Sequence, residues 1–313
     1  MSPFHTTELN YDAPATLKRF LDTRGLGMRK KFGQNFLINP HAREKILDAL
    51  ELDPGAAVWE VGPGLGAMTA GLLERGAAVY GFELDPGFNQ VLQELFGNRP
   101  AFTLIEGDVL KTWPKTDPPA RYLLGNLPYT IGAVLLADLI ERHRFFTRMV
   151  VTVQREVALR MGARPGSKDY SSFSVLCASA YTVRPLMVLK GASFYPVPHV
   201  DSQAVRLDLR TDVDPASYPL CLRPLVRHLF SSRRKTIKNN LQRFIASRIM
   251  QGDSRGRDAV EITMEALERC GIPEHTRAET LGLEGFLALA QVLEGVRSME
   301  QKRPIEEDYD DNH

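Results

Sequence analysis

The residues Asn126-Leu127-Pro128-Tyr129 could hold a flat base that carries an exocyclic amine. An Asn side chain can accept a hydrogen bond from such an amine. Pro128 fixes its own φ and narrows the conformations open to Leu127, so the Leu127 carbonyl is held in one direction. Tyr129 supplies a ring face on which a base can stack. The tetrad follows an apolar run ending at Gly125, and the glycine-rich turn Gly62-Pro63-Gly64-Leu65-Gly66 lies upstream of it. Base holder and glycine turn in one chain read as methyl transfer to an adenine amino group.

A glycine turn between a strand and a helix lets backbone approach a ligand closely, beside the partial positive charge of the helix N-terminus. Taken alone, Gly62-x-Gly64-x-x-Ala67 also fits a dinucleotide fold. Glu83 ends the next apolar run about twenty residues later, where a carboxylate can accept from ribose hydroxyls. Asp108 follows the third run and could accept from an adenine amine. Both acids have plainer readings as turn or cap residues. Their shared position at strand ends favours a ligand role, because open α/β sheets bind ligands there. The nicotinamide and methyl-donor readings part at the fourth run. A dehydrogenase has no use for Asn-Leu-Pro-Tyr, whereas an amine methyltransferase must bind adenine edge-on. Carboxylate contacts to ribose and adenine also suit S-adenosylmethionine, which lacks a pyrophosphate.

These groups need a scaffold, and the apolar runs describe one. Val58–Val61, Val79–Glu83, Phe102–Glu106, Tyr122–Gly125 and Met149–Val153 read as strands, with helical patterns between them such as Ala67–Glu74. Such alternation predicts βαβ units and a parallel sheet. Runs near Met187–Leu189 and Ala204–Leu209 could close it. A short helix is expected near Pro14–Leu21, and another from Pro40 with Asn39 as its cap. Beyond the linker Asp212-Val213-Asp214-Pro215 the pattern turns helical, with Ile237, Leu241, Phe244 and Ile245 as one apolar stripe. A further helix over Asp258–Cys270 stops at Gly271 and Pro273, and a last one begins after Gly282. The expected division is an extension over 1–28, an α/β catalytic domain over 29–212, a helical RNA-binding domain over 213–298 and an acidic, disordered tail over 299–313.

The formal charge of +1, from 39 Lys and Arg against 38 Asp and Glu, hides a segregation. The C-terminal run holds Glu306, Glu307, Asp308, Asp310 and Asp311, so the rest of the chain is net basic. Residues 215–252 contain no acid but carry Arg223, Arg227, Arg233, Arg234, Lys235, Lys238, Arg243 and Arg248. A block of one sign points to a polyanionic partner, where a solvated helix face usually mixes both signs. Arg29, Lys30 and Lys31 beside Phe32 form a second basic segment. The 3 cysteines are scattered and the 7 histidines lack ligand spacing, which predicts neither a disulfide framework nor a metal site. No apolar run approaches the roughly 18–20 residues of a membrane helix, and the polar N-terminus lacks a secretory pattern. A cytoplasmic protein with no membrane association is expected.

Several motifs stand in series. They are Phe32-Gly33-Gln34-Asn35-Phe36-Leu37, Glu60-Val61-Gly62-Pro63-Gly64-Leu65-Gly66, Asn126-Leu127-Pro128-Tyr129 and Gln154-Arg155-Glu156-Val157-Ala158. Phe194-Tyr195-Pro196-Val197-Pro198-His199-Val200-Asp201-Ser202, Arg233-Arg234-Lys235-Thr236 and Arg277-Ala278-Glu279-Thr280-Leu281 follow. In this order the chain resembles, over roughly residues 28–290, the ribosomal RNA adenine N6,N6-dimethyltransferase family of the small-subunit type. The resemblance implies a Rossmann-like S-adenosylmethionine-dependent methyltransferase fold with a small C-terminal all-helical domain. It implies that Asn35, Leu37, Gly62, Gly64, Glu83, Asp108 and Asn126 surround S-adenosylmethionine, which leaves as S-adenosylhomocysteine. Asn126, the Leu127 carbonyl, Pro128 and Tyr129 are implied to hold the target adenine, with Phe194 stacking on its other face. Phe194 has an alternative as a core aromatic before a proline-rich loop. Arg29, Lys30, Lys31, Arg233, Arg234, Lys235 and Lys238 are expected on the RNA backbone. The implied partner is small-subunit rRNA or its precursor particle, met by a monomer. The chain departs from the family pattern at Thr130–Val134, at His199 and at Gly282. Its nearest rivals are a large-subunit rRNA adenine methyltransferase of the antibiotic-resistance type and a non-catalytic RNA-binding assembly factor on the same fold.

Overall fold

The computed structural model describes residues 9–26, 35–249 and 258–302. Arg29, Lys30, Lys31 and the acidic run from Glu306 lie outside these residues. The chain divides into two compact units. One combines the residues up to Gly162 with Ala180–Val213, and the other combines Ala163–Ser179 with the residues from Asp214 onward.

The first unit opens with α1 (Pro14–Thr23), the two-residue strand β1 (Phe36–Leu37) and α2 (Pro40–Asp48). Asn39 caps α2 by accepting from the Ala42 N–H, as its place before Pro40 predicts. Then come β2 (Ala57–Val61), α3 (Ala67–Glu74), β3 (Ala78–Glu83), α4 (Pro86–Phe96), β4 (Phe102–Glu106), α5 (Val109–Thr116), β5 (Tyr122–Asn126), α6 (Gly132–Glu141), β6 (Arg148–Gln154) and α7 (Arg155–Met161). After α8 (Ser172–Ala180), nearly all of which belongs to the second unit, the chain returns as β7 (Tyr181–Leu189), β8 (Phe194–Tyr195) and β9 (Ser202–Leu209).

Seven strands form one sheet in the order β4-β3-β2-β5-β6-β9-β7. The pairings from β4 through β6 are parallel, and β9 runs antiparallel to both β6 and β7. Parallel strands covered on both faces must be apolar along their length, and Val58, Trp59 and Val61 of β2 are buried accordingly. The strand order reverses between β2 and β5, where Val61 pairs with Gly125. The glycine turn and Asn126 therefore leave the sheet side by side, at the kind of switch point where open α/β sheets bind ligands.

Trp59 anchors this core. Its ring lies 4.8 Å from that of Phe82 and 5.0 Å from that of Phe146, and its indole N–H donates to the Pro118 carbonyl at 2.8 Å. The Arg144 guanidinium covers the ring at 4.8 Å. Truncation of such a residue costs about 3–5 kcal/mol. A separate two-stranded sheet joins β1 to β8, pairing Phe36 with Tyr195 and Leu37 with Phe194. It fastens the segment after Asn35 to the loop before β9.

The second unit contains α9 (Leu222–Phe230), α10 (Ile237–Ile249), α11 (Ala259–Arg269) and α12 (Leu283–Lys302). The expected stripe of Ile237, Leu241, Phe244 and Ile245 is buried, in one core with Leu225, Leu229 and Phe286. Tyr170 and Val175 belong to that same core. Residues 163–179 thus pack with the helices although they fall within the 29–212 stretch. The Gly166 N–H donates to the Glu279 carbonyl at 2.7 Å, and the Tyr170 hydroxyl to the Leu281 carbonyl at 2.9 Å. The last helix continues to Lys302, past residue 298. Among the described residues no helix is long and apolar enough to cross a membrane, and no group of three or more His, Cys, Asp or Glu could hold a metal ion.

Candidate active site

The turn after β2 begins at Gly62 with φ +73° and passes Gly64 with φ +60°, a left-handed region that a residue with a Cβ enters only under strain. A Cβ on Gly62 would stand 3.7 Å from the Asn126 carbonyl oxygen, so the turn and the base-holding tetrad approach each other through this glycine. On Gly64 it would press to 3.2 Å from the Phe36 ring. Glu83 at the end of β3 ties the turn down. Its Oε2 accepts from the Gly64 N–H at 3.0 Å and its Oε1 from the Asp85 N–H at 2.8 Å. Burial raises the Glu83 carboxyl, against the pull of those two N–H groups. A carboxylate has acceptor capacity beyond these two bonds, which suits a neighbouring hydroxyl.

Asp108 caps α5, its Oδ1 accepting from the Leu110 N–H at 3.1 Å, and it also lines the cavity above the turn. The cap reading and the ligand reading therefore describe one residue. Glu60 is a third acid in that lining, with no role expected for it from the sequence. It interrupts the buried strand β2, and its Oε2 accepts from the Thr69 hydroxyl at 2.7 Å. Burial pushes its carboxyl up to about 8, the Thr69 hydroxyl draws it back, and the Glu83 charge adds to the rise. An acid inside a doubly covered strand is the signal that could have found it.

A buried acid of this kind makes the ligand-free fold pH-dependent. The Glu60 carboxyl is raised from 4.5 when unfolded to about 8 when folded. Stability is then complete below the unfolded value and lost as pH climbs toward the folded one. Glu83 acts in the same direction. Thermal unfolding of the ligand-free protein at pH 5, 6.5 and 8 should show Glu60→Gln gaining on the unaltered chain as pH rises, by several kcal/mol in order of magnitude. A constant difference across the series would mean that Glu60 is ionised throughout.

Asn35, Leu37, Gly62, Gly64, Glu83, Asp108, Asn126 and Pro128 all border this one cavity. No Lys, Arg or His is among its lining residues. An acid-lined cavity with no Lys, Arg or His in its wall disfavours a pyrophosphate and suits a cation. The donor set therefore fits the sulfonium and ammonium of S-adenosylmethionine and not a dinucleotide.

The Asn126 amide is oriented by a partner far away in sequence. Its Nδ2 donates to the Asn35 carbonyl at 2.8 Å, which leaves Oδ1 as the acceptor. The Leu127 N–H donates to the Thr152 carbonyl at 3.0 Å while the side chain is buried. Among the described residues no donor engages Asn126 Oδ1 or the Leu127 carbonyl. The Pro128 carbonyl accepts from the Ile131 and Gly132 N–H groups as α6 begins. The Tyr129 hydroxyl lies 2.8 Å from Ser202 Oγ, so its ring is held from β9. Neither Leu127 nor Tyr129 borders the cavity itself.

Phe194 departs from the stacking expectation. It is only 2 % exposed, packs in the same core cluster as Leu37, and does not line the cavity. Pairing of β8 with β1 turns its ring into the core, and the core-aromatic alternative describes it. Tyr11, in the stretch expected to be an extension, does line the cavity.

The basic block of the helical unit is less bare than its sequence. Arg233 pairs with Glu279 at 3.1 Å and Lys238 with Glu274 at 2.6 Å. Residues 215–252 lack acids in sequence, but the turn after α11 supplies them in space. Arg234 and Lys235 are exposed, with no ion-pair partner among the described residues.

A family model described as ribosomal RNA adenine dimethylase matches residues 25–268. The chain is 42% identical over 298 residues to ribosomal RNA small subunit methyltransferase A of Treponema denticola, covering 93% of this chain and 98% of that protein. To the protein of the same name in Geobacter metallireducens it is 34% identical over 278 residues, covering 86% and 96%. Among solved structures, a dimethyladenosine transferase from Plasmodium falciparum matches with a TM-score of 0.72 at 24% identity, over 82% of this chain and 97% of that one. The 23S rRNA methyltransferase ErmE matches with a TM-score of 0.59 at 23% identity, over 82% and 99%. These two structural likenesses speak for the fold alone.

Proposed function

This chain belongs to the ribosomal RNA adenine dimethylase family, and on that premise we propose that it transfers methyl groups from S-adenosylmethionine to N6 of two adjacent adenosines near the 3′ end of small-subunit rRNA, giving N6,N6-dimethyladenosine. One observation carries the reading: an acidic cavity without a base opens beside an amide whose nitrogen is already committed to Asn35. S-adenosylmethionine, when bound, would supply a methyl group on a sulfonium and leave as the thioether S-adenosylhomocysteine, one positive charge fewer.

Gly62 and Gly64 let the turn backbone close on the donor, Glu83 accepts from its ribose hydroxyls and Asp108 from its adenine amine. Asn35 and Leu37 form the adjoining wall. The N6 lone pair of the target adenine is delocalised into its ring and is a poor nucleophile. Asn126 Oδ1 and the Leu127 carbonyl accept the two N6–H groups and aim that lone pair at the methyl. They also stabilise the positive charge that grows on nitrogen as the N–C bond forms. The methylated amine is acidic and gives its proton to solvent water without a dedicated strong base. Tyr129, steadied by Ser202, offers its ring to a base taken out of the stack. Phe194 contributes here through packing behind Leu37. Arg234 and Lys235 meet RNA phosphates, with Arg233 and Lys238 held behind them by their glutamates. The resemblance adds Arg29, Lys30 and Lys31 to that group. The enzyme works as a cytoplasmic monomer on rRNA or its precursor particle.

The test is to incubate the protein with S-adenosylmethionine and unmodified small or large ribosomal subunits, digest the RNA and seek N6,N6-dimethyladenosine by mass spectrometry. Product from the small subunit alone is expected. Product from the large subunit alone would reassign the substrate, and none from either would leave an RNA-binding protein on a methyltransferase fold.

A further inference from the structure

The family model begins at residue 25, yet the cavity draws part of its wall from before that point. Tyr11 and Leu17 both line it. The Tyr11 hydroxyl donates to the Leu65 carbonyl at 3.0 Å, inside the glycine turn. Its neighbour Asp12 pairs with Arg43, whose Nη1 donates to the carbonyl of the cavity residue Leu37 at 2.9 Å. α1 then buries Leu17 and Leu21 in one cluster with Leu65, Phe88 and Val91. At its far end Arg24 pairs with Glu94 of α4, and Leu26 sits where a Cβ on Gly87 would come within 2.4 Å of it. The segment is thus latched at both ends onto the turn and helix that border the cavity. Leu65 and Phe88 face the segment and the cavity alike.

We propose that residues 9–26 are a strap that completes the S-adenosylmethionine site, with Tyr11 as a donor-binding residue, so that docking of the strap and binding of the donor reinforce each other. The proposal rests on the donor reading of the cavity. Tyr11 lies close enough to Glu60 for that carboxyl to raise its hydroxyl further, after burial has already done so. The phenol therefore stays neutral and remains a donor to Leu65. Its ring, beside an acid, is placed to meet the cationic half of the ligand. Because strap and donor share a wall, each stabilises the other by linkage.

Calorimetric titration of S-adenosylmethionine into the full-length protein tests this, together with trypsin cleavage at the exposed Lys18 and Arg19 of α1. Tyr11→Ala should bind the donor about tenfold more weakly, and Tyr11→Phe, which keeps the ring and loses the Leu65 bond, about threefold. The Michaelis constant for RNA should not move in either variant. In the unaltered chain, saturating donor should slow cleavage at Lys18 and Arg19, a protection that a merely structural helix would not gain. Should Tyr11→Ala fail to fold, Tyr11→Phe and the protection assay decide. Unchanged donor affinity in the variants, or cleavage indifferent to donor, overturns the strap. Failure of the unaltered chain to bind donor at all would reject the donor reading of the cavity, and the strap with it.

Discussion

Methyl transfer by the Asn126→Ala protein will fall by about a hundred- to a thousandfold in single-turnover reactions saturated with RNA and donor. The loss belongs in kcat, because Oδ1 acts on charge that develops as the N–C bond forms. The same substitution releases the Asn35 carbonyl from its 2.8 Å bond, so donor affinity will slip as well, by about tenfold at most. Asn126→Asp separates the two effects. It keeps an acceptor for the amine but sets a carboxylate against the Asn35 carbonyl. It should therefore transfer faster than Asn126→Ala and bind donor more weakly than the unaltered chain. The fold should survive both changes, since the side chain is half-buried at a strand end and outside the apolar core. Turnover of Asn126→Ala within tenfold of the unaltered rate would remove the amide from the mechanism.

Arg234→Ala combined with Lys235→Ala will cost about tenfold or more in the Michaelis constant for RNA at physiological salt. It will reduce the slope of log affinity against log salt by about 1.4–1.8, two phosphates' worth. Arg233→Ala should behave differently, although it is the adjacent residue. Its guanidinium already faces Glu279 at 3.1 Å, so less free charge is removed and the salt slope changes less. Thermal stability should fall instead, because Glu279 loses its partner. The measurement is the RNA Michaelis constant over a series of KCl concentrations, beside a melting curve for each protein. A slope change for Arg233→Ala half as large as that of the double variant, about 0.7–0.9, would show that the ion pair with Glu279 opens on the RNA and that all three cations count alike.

The parts of this molecule that were readable in its sequence share one property: their signal is local. Five strands of the sheet are short, mostly apolar runs bounded by turn residues, and β2, β5 and β6 are buried along nearly their whole length. The glycines at 62 and 64 announce left-handed backbone, and Asn39 before Pro40 announces a helix start. What stayed hidden depends on partners distant in the chain. The strands at Phe36–Leu37 and Phe194–Tyr195 are two residues long, too short for any period, and only their pairing turns Phe194 inward. Residues 163–179 carry no mark that sends them to the helical core rather than the sheet. The glutamates that answer Arg233 and Lys238 lie 46 and 36 residues further on, so a count of charges along 215–252 could not see them. Tyr11 looked like part of a polar extension because its contact, Leu65, is 54 residues away.

The bond between Asn126 and Asn35 has one more consequence. An amide fixed by its nitrogen cannot turn to present N–H instead of oxygen, so the pocket offers acceptors only, whatever base is in it. It therefore keeps a tally. In the proposed pose, unmodified adenine would satisfy both the Asn126 oxygen and the Leu127 carbonyl, monomethyladenine one of them, and dimethyladenine neither. Each acceptor left unanswered away from water costs about 1–3 kcal/mol. On the proposed mechanism the pocket would loosen its grip with every methyl added, and the finished nucleotide would be released by the same two oxygens that first drew it in.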